Sequence, residues 1–173
     1  MKQPKLLYEW AMPNKNTYQI KPIAKLIKQY QDSVQGFWID PFCGTNKYAH
    51  HTNDLNPEIA ADFHLDAIDF LKQCPIHENC CMFFDPPYSP RQSSECYKNV
   101  GKLVNMQTTQ SSWWSNLKDE ISRLVSPDMY CITTCWNSNG IGMSRGFEKE
   151  IVLVVPHGGW HNDTIMTVER KIV

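Results

Sequence analysis

Asp85-Pro86-Pro87-Tyr88 is the stretch of this 173-residue chain best equipped for chemistry. It follows the apolar run Cys81-Met82-Phe83-Phe84 and precedes Ser89-Pro90-Arg91. A short apolar run reads as a buried strand. The two prolines end it abruptly, since neither can donate a backbone hydrogen bond. The turn therefore throws a carboxylate and an aromatic ring beyond the strand's carboxyl end, the edge at which open α/β sheets bind ligands. A second acid, Asp40, closes the run Gly36-Phe37-Trp38-Ile39 and opens Asp40-Pro41-Phe42-Cys43-Gly44. A third, Asp54, follows another short β-prone stretch.

The elements that must hold these acids follow from periodicity. Pro22, at a first helical position, opens a helix through Ile23, Leu26, Ile27 and Tyr30. Gly36 to Ile39 reads as a buried strand, and a second short strand lies just before Asp54. Asn56-Pro57-Glu58 begins a helix, and Phe63-His64-Leu65 is a third strand. Ala67 to Gln73 resembles a helix, and Cys81 to Phe84 is the fourth strand. A polar loop runs on from Ser89. Ser112 then caps a helix carrying Trp113, Leu117, Ile121 and Leu124, which Pro127 closes. Met129 to Thr134 is the fifth strand, leading into Cys135-Trp136-Asn137-Ser138-Asn139-Gly140, whereas Glu9 to Thr17 reads as irregular. Ile151 to Val155 and Thr164 to Val168 are both β-rich and close together, which predicts a hairpin rather than a crossover. The expected architecture is α/β: a mostly parallel seven-stranded sheet with a C-terminal antiparallel hairpin. One domain over residues 1–173 is expected, since the length suits a single core and no repeat or linker interrupts it.

A net charge of −1 gives no whole-chain argument for nucleic acid. The distribution says more: Lys2, Lys5, Lys15, Lys21, Lys25 and Lys28 face only Glu9 in the first 28 residues, a basic edge suited to phosphate or to a solvated helix face. The absence of a signal-like apolar run and of any stretch of membrane-spanning length predicts a cytoplasmic protein. Seven cysteines are then most simply reduced thiols. Cys74, His77, Cys80 and Cys81 have spacing that zinc could use, but no second ligand pair accompanies them and Cys81 begins a buried strand, so no metal is expected.

With strand–Asp40-Pro-Phe-Cys-Gly44, an acid after the next strand, and strand–Asp85-Pro-Pro-Tyr88, the chain resembles the S-adenosylmethionine-dependent amino-methyltransferases. More narrowly, it is similar to the small adenine-specific DNA N6-methyltransferases of phages and prophages. The resemblance runs from Trp10 to Val168 and includes Gln19-Ile-Lys-Pro22. It implies a Rossmann-like class I methyltransferase fold, S-adenosyl-L-methionine as cofactor, DNA as substrate, and a bacterial or phage-infected host cytoplasm. One departure stands out: only nine residues separate Gly44 from Asp54, so the first crossover helix is expected to be shortened.

The resemblance also implies roles. Glu9-Trp10-Ala11 with Lys15 matches a cofactor contact at the start of Dam-type enzymes, with spacing one residue longer. Asp40 lies near the methionine tail, with Phe42 and Gly44 shaping the pocket, the glycine turn letting the backbone approach closely. Asp54 accepts the ribose hydroxyls, and Asp66-Ala67 contacts the adenine ring. For transfer, Asp85 and the Pro86 carbonyl accept the hydrogens of an exocyclic amine, Pro87 completes the turn, and Tyr88 stacks on the base. A duplex hides that amine, so the target must be flipped out or single-stranded. Arg91, Lys98, Asn137, Arg145 and His161, on loops at the same edge, are candidate nucleic-acid contacts. No room remains for a separate target-recognition domain, so recognition falls to these loops, a homodimer or a partner subunit. Two alternatives stay open. One is the same fold acting on cytosine N4, RNA adenine or a protein glutamine; Ser-Pro-Pro-Tyr tends to mark the first in relatives, and Asn-Pro-Pro-Tyr is seen in RNA and glutamine enzymes. The other is a non-catalytic relative that binds nucleic acid or a partner.

Overall fold

The strongest helical period in the sequence forms α1 (Lys21–Ser33), which has Pro22 in its first turn and buries Ile23, Leu26, Ile27 and Tyr30. The protein is described by a computed structural model covering residues 3–104 and 110–173. Before α1 come a strand, β1 (Lys5–Tyr8), and a single 3-10 turn at Thr17–Gln19. After it come β2 (Phe37–Asp40), β3 (His51–Thr52), α2 (Ala67–Gln73) and β4 (Cys80–Phe84). Then follow α3 (Pro90–Asn99), α4 (Ser111–Leu124), β5 (Tyr130–Cys135), β6 (Phe147–Val155) and β7 (Thr164–Lys171).

These strands make one seven-stranded sheet in the order β1-β6-β7-β5-β4-β2-β3. All neighbours run parallel except β7, which is antiparallel to both β5 and β6. The chain leaves β2 toward one edge, to β3, and leaves β4 toward the other, to β5. The crevice between β2 and β4 is therefore the switch point at which such sheets bind ligands beyond their carboxyl ends. Asp40 is the last residue of β2, and Asp85 follows the last residue of β4.

Strand alternation feeds two cores. Trp38, Cys81, Phe83 and Ile132 pack under α1 together with Leu153, Val155, Met166 and Val168. Ile39, Cys80, Met82, Phe84 and Cys131 point to the other face, against Phe70 and Leu71 of α2 and Trp113, Leu117 and Ile121 of α4. All five residues of β4 are buried, which is why this strand reads as a continuous apolar run and not as an alternating one. Cys80 and Cys81 are thereby sent to opposite cores.

Five local expectations are corrected. Phe63-His64-Leu65 makes only an isolated bridge, Asn53 with Phe63. Side chains take over its pairing: Asn53 holds Leu65 through both its amide atoms, and Asp62 accepts from Thr52 N and Oγ1. Such local side-chain bonds compete with a strand ladder. The seventh strand is instead β1, an edge strand lying beside β6 whose mostly exposed residues carry little periodic signal. Asn56-Pro57-Glu58 is a turn, because Asp54 and Asn56 each accept from the backbone two residues on. The segment after Ser89 is not a loop but α3, with Ser89 accepting from Gln92 N as its cap and Pro90 in the first turn. α4 begins at Ser111 with Gln110 in the cap position, so Ser112 lies inside the helix. Residues 41–50, the first crossover, contain turns and no helix. No helix among the described residues is long and apolar enough to cross a membrane.

Candidate active site

The turn after β4 is fixed from several directions. Oδ1 of Asp85 accepts from the Tyr88 hydroxyl at 2.5 Å and from Thr134 Oγ1, at the end of β5, at 2.6 Å. The Tyr88 hydroxyl also lies 3.3 Å from Thr17 Oγ1. Tyr88 N donates to Gln92 Oε1 at 2.6 Å, and the Trp114 indole N–H donates to the Pro87 carbonyl at 3.1 Å. The Tyr88 ring meets Trp136 edge-on, with centroids 5.7 Å apart. Thr17 supports the same carboxylate, and among the described residues none donates to the Pro86 carbonyl. Burial raises the Asp85 pKa above the usual carboxylate range, and the hydrogen bonds from Thr134, Tyr88 and Thr17 oppose that rise.

Asp40 is 1% exposed. Its Oδ1 accepts from Phe42 N at 2.9 Å. Burial pushes its pKa up to about 8; the Phe42 N–H opposes this, while the nearby charges of Asp85 and Asp54 add to it. Asp54 accepts from Gly44 N at 3.0 Å through Oδ2 and from Asn56 N at 2.8 Å through Oδ1. Among the described residues no lysine or arginine is ion-paired with any of these three acids.

Asp54, Phe42, Ala67 and the whole Asp85–Tyr88 turn line a cavity of about 430 Å³, together with Tyr97 and Trp113. Among the described residues the buried Trp113 indole nitrogen has no hydrogen-bond partner of good geometry. Tyr88 also borders two further cavities. The second, of about 360 Å³, lies toward α4 and includes Pro86, Trp114, Lys118, Asn137 and Asn139. The third lies toward the β6–β7 connection and includes Lys15, Gln92, Trp136, His157, Trp160 and His161.

Other sequence-derived candidates are placed differently. Gly44 lies outside the cavity wall; its φ of +51° is what the turn requires, and its N–H serves Asp54. The Asp66 carboxylate is spent on capping α2 through Ile68 N and on accepting from the Tyr97 hydroxyl, so its neighbours Leu65 and Ala67 form the wall instead. Trp10 and Lys15 are held apart from Asp40 and Asp54, because the segment joins the β6–β7 side through Ala11 N to Pro156 O and His157 Nδ1 to Ala11 O. Trp10 sits exposed beside Gly158. Arg91 is exposed and paired with Glu95 along α3, and Lys98 is exposed at the end of that helix. Asn137 and His161 each border a cavity that contains Tyr88. Arg145 is drawn away: its guanidinium bonds Asp119 at 2.6 Å and Ser115 Oγ at 2.8 Å on α4.

Sequence reasoning missed Thr17, Thr134, Trp113 and Trp114, none of which belongs to a motif. Gln92 had a signal, since Ser89-Pro90-Arg91-Gln92 is a helix-start pattern.

A switch-point crevice between β2 and β4, acids at both strand ends and an antiparallel seventh strand define the Rossmann-like fold of class I methyltransferases. Solved structures agree. N-methyltransferase NodS from Bradyrhizobium japonicum WM9 matches with a TM-score of 0.58 over 93% of this chain and 100% of NodS, at 6% identity. TrmN from Thermus thermophilus matches with a TM-score of 0.54 at 14% identity, over 88% of this chain and 49% of TrmN, so the chain spans about half of that protein's length. HI0767 from Haemophilus influenzae, a methylase candidate, matches with a TM-score of 0.52 at 9% identity over 87% of this chain and 88% of HI0767. Neither a protein-family model nor a curated protein matches the chain.

Proposed function

We propose that this protein transfers a methyl group from S-adenosylmethionine to the exocyclic N6 amine of adenine in DNA. The observation that carries the reading is the state of the Asp85–Pro86 pair. Oδ1 of the carboxylate is fixed by Tyr88 and Thr134, and the carboxylate and the neighbouring carbonyl stand together at the wall of a cavity large enough for a nucleoside-sized ligand.

The principal cavity suits the cofactor on chemical grounds. Asp54 and Asp85 lie on its wall with no ion-paired cation among the described residues, and both raise the pKa of Asp40, which is buried and not part of that wall. A cationic ligand there relieves that repulsion. Asp54 retains lone pairs for ribose hydroxyls. Phe42 and Ala67 provide apolar surface for a planar base. When bound, S-adenosylmethionine supplies an electrophilic methyl group on a sulfonium.

The chain's own residues prepare the acceptor. An aromatic amine is a poor nucleophile because its lone pair is delocalised into the ring. The Asp85 carboxylate and the Pro86 carbonyl accept its two hydrogens, drawing the nitrogen toward a tetrahedral shape and aiming the lone pair. Positioning the amine lowers the entropic part of the barrier. Placing a carboxylate where positive charge develops on nitrogen lowers the electrostatic part. The amine must afterwards lose a proton, and Asp85, whose carboxyl burial favours in the protonated form, is placed to take it. The Tyr88 ring, held by its hydroxyl and its backbone N–H, stacks on the base.

The test incubates purified protein with isotopically labelled S-adenosylmethionine and separate DNA and RNA pools, digests each pool and analyses the nucleosides by mass spectrometry. Label in N6-methyladenine from DNA is the expected result. Label in RNA or in N4-methylcytosine replaces the substrate while keeping the amine chemistry. No label together with no cofactor binding by calorimetry overturns the reading in favour of a non-catalytic binding protein.

A further inference from the structure

The cavity toward α4 differs from the principal one in charge. Among the described residues its wall contains one lysine, Lys118, and no carboxylate. The rest of its polar lining is neutral: the hydroxyls of Ser111 and Thr133 and the amides of Asn137 and Asn139. Ser111, Trp114 and Lys118 are spaced three and four residues apart, so they share one face of α4. Trp113, Leu117 and Ile121 are buried from the core-facing side of the same helix. Trp114 anchors this face to the turn through the Pro87 carbonyl. Lys118 thereby lines the same cavity as Pro86 and Tyr88 of the Asp85–Tyr88 turn, which also border the principal cavity.

Among the described residues nothing hydrogen-bonds or ion-pairs with the Lys118 ammonium. Glu169 lies close enough to stabilise the charge, but its own carboxylate is engaged by Ile141 N and Gly142 N. Burial lowers the Lys118 pKa, and repulsion from Arg145 adds to that. The expected phosphate partners are otherwise occupied, with Arg91 paired to Glu95 and Arg145 to Asp119. A half-buried ammonium facing neutral donors, with no acid on the cavity wall, is an environment short of one negative charge.

We propose that this second cavity is an anion subsite in which Lys118 takes the phosphate adjacent to the acceptor base, with Ser111 and the two asparagines as neutral donors. The inference rests on a nucleotide acceptor at Tyr88, but its anion-binding part does not. The phosphate's source is either the strand that contains the base or a free nucleotide.

The experiment measures dissociation constants of the full chain by calorimetry for deoxyadenosine, its 5′- and 3′-monophosphates, a short adenine-containing single strand and inorganic phosphate. Wild type, Lys118→Gln and Lys118→Arg are compared, with thermal denaturation to establish folding. A charge-assisted bond in a partly desolvated site predicts that one monophosphate binds wild type about ten-fold or more tightly than the nucleoside. Lys118→Gln brings that ratio to about one, and Lys118→Arg keeps part of it. Monophosphate preference with no gain for the strand assigns the site to free nucleotides; the reverse assigns it to the backbone. If inorganic phosphate binds and is lost in Lys118→Gln while no adenine compound binds, the anion site stands and the adenine reading falls. Equal affinity for nucleoside and monophosphates without phosphate binding, or a preference that survives Lys118→Gln in a folded protein, overturns the proposal.

Discussion

The hydroxyl of Tyr88 donates to Oδ1 of Asp85 across 2.5 Å, closing the Asp-Pro-Pro-Tyr turn on itself. Thr134 donates to the same oxygen. These two donors converge on one carboxylate oxygen and fix the orientation of the group.

Replacing Asp85 with alanine removes the proposed acceptor of an amine hydrogen and leaves Phe42, Asp54 and Ala67 of the principal cavity in place. Methyl transfer falls by about 10²–10³-fold, the scale for losing one preorganised electrostatic contact in a transition state. Single-turnover kinetics and cofactor calorimetry separate the steps. Equal loss of both would mark Asp85 as structural.

Thr134→Val keeps the shape of a buried residue and deletes one donor to Asp85. The expected result is a kcat lowered by about ten-fold or more, since a hydrogen bond to a charged group contributes ~1.5–3 kcal/mol. The KM for cofactor stays near wild type, because Thr134 is not on that cavity's wall. A change confined to KM would show that Thr134 does not orient the carboxylate.

Asp40 links stability to pH. Its folded pKa is raised from 3.8 to about 8. Below the lower value both folded and unfolded chains hold the proton. Between the two the unfolded chain loses the proton while the folded chain keeps it, so rising pH favours unfolding; above the upper value the effect levels off. The ligand-free protein thus loses stability from mildly acid to mildly alkaline pH, and Asp40→Asn flattens this slope. Urea denaturation across that range provides the check. A cationic ligand beside Asp40 lowers its pKa and also reduces the slope.

Gly140 is fixed by a packing relationship. It has a φ of +60°, and a Cβ placed there would lie 2.2 Å from Oε2 of Glu169. That carboxylate holds the loop by accepting from Ile141 N at 2.5 Å and Gly142 N at 3.2 Å. Gly140→Ala should destabilise the fold by about 2–4 kcal/mol, combining left-handed strain with displacement of a buried carboxylate. Denaturant unfolding measures the loss, and an unchanged midpoint would refute this account of the loop.

The buried strands, the α1 and α4 stripes, the closing hairpin and the two acids at strand ends are all legible in the order of the residues. Each is encoded locally, by side-chain period or by prolines that stop a strand. A mostly parallel sheet then forces Asp40 and Asp85 to the same edge. The tertiary structure alone decided which β-prone segment filled the seventh place in the sheet. Leu6 and Leu7 found a partner in β6, whereas Phe63 to Leu65 lost its ladder to Asn53 and Asp62. It also decided the fate of the charges. Arg145 and Lys118 look alike along the chain, but Arg145 reaches Asp119, while Lys118 lines a cavity that has no acid among its described residues. Thr134 reaches Asp85 only because β5 lies beside β4. Pairings of this kind depend on which elements become neighbours, and no local pattern of residues specifies that.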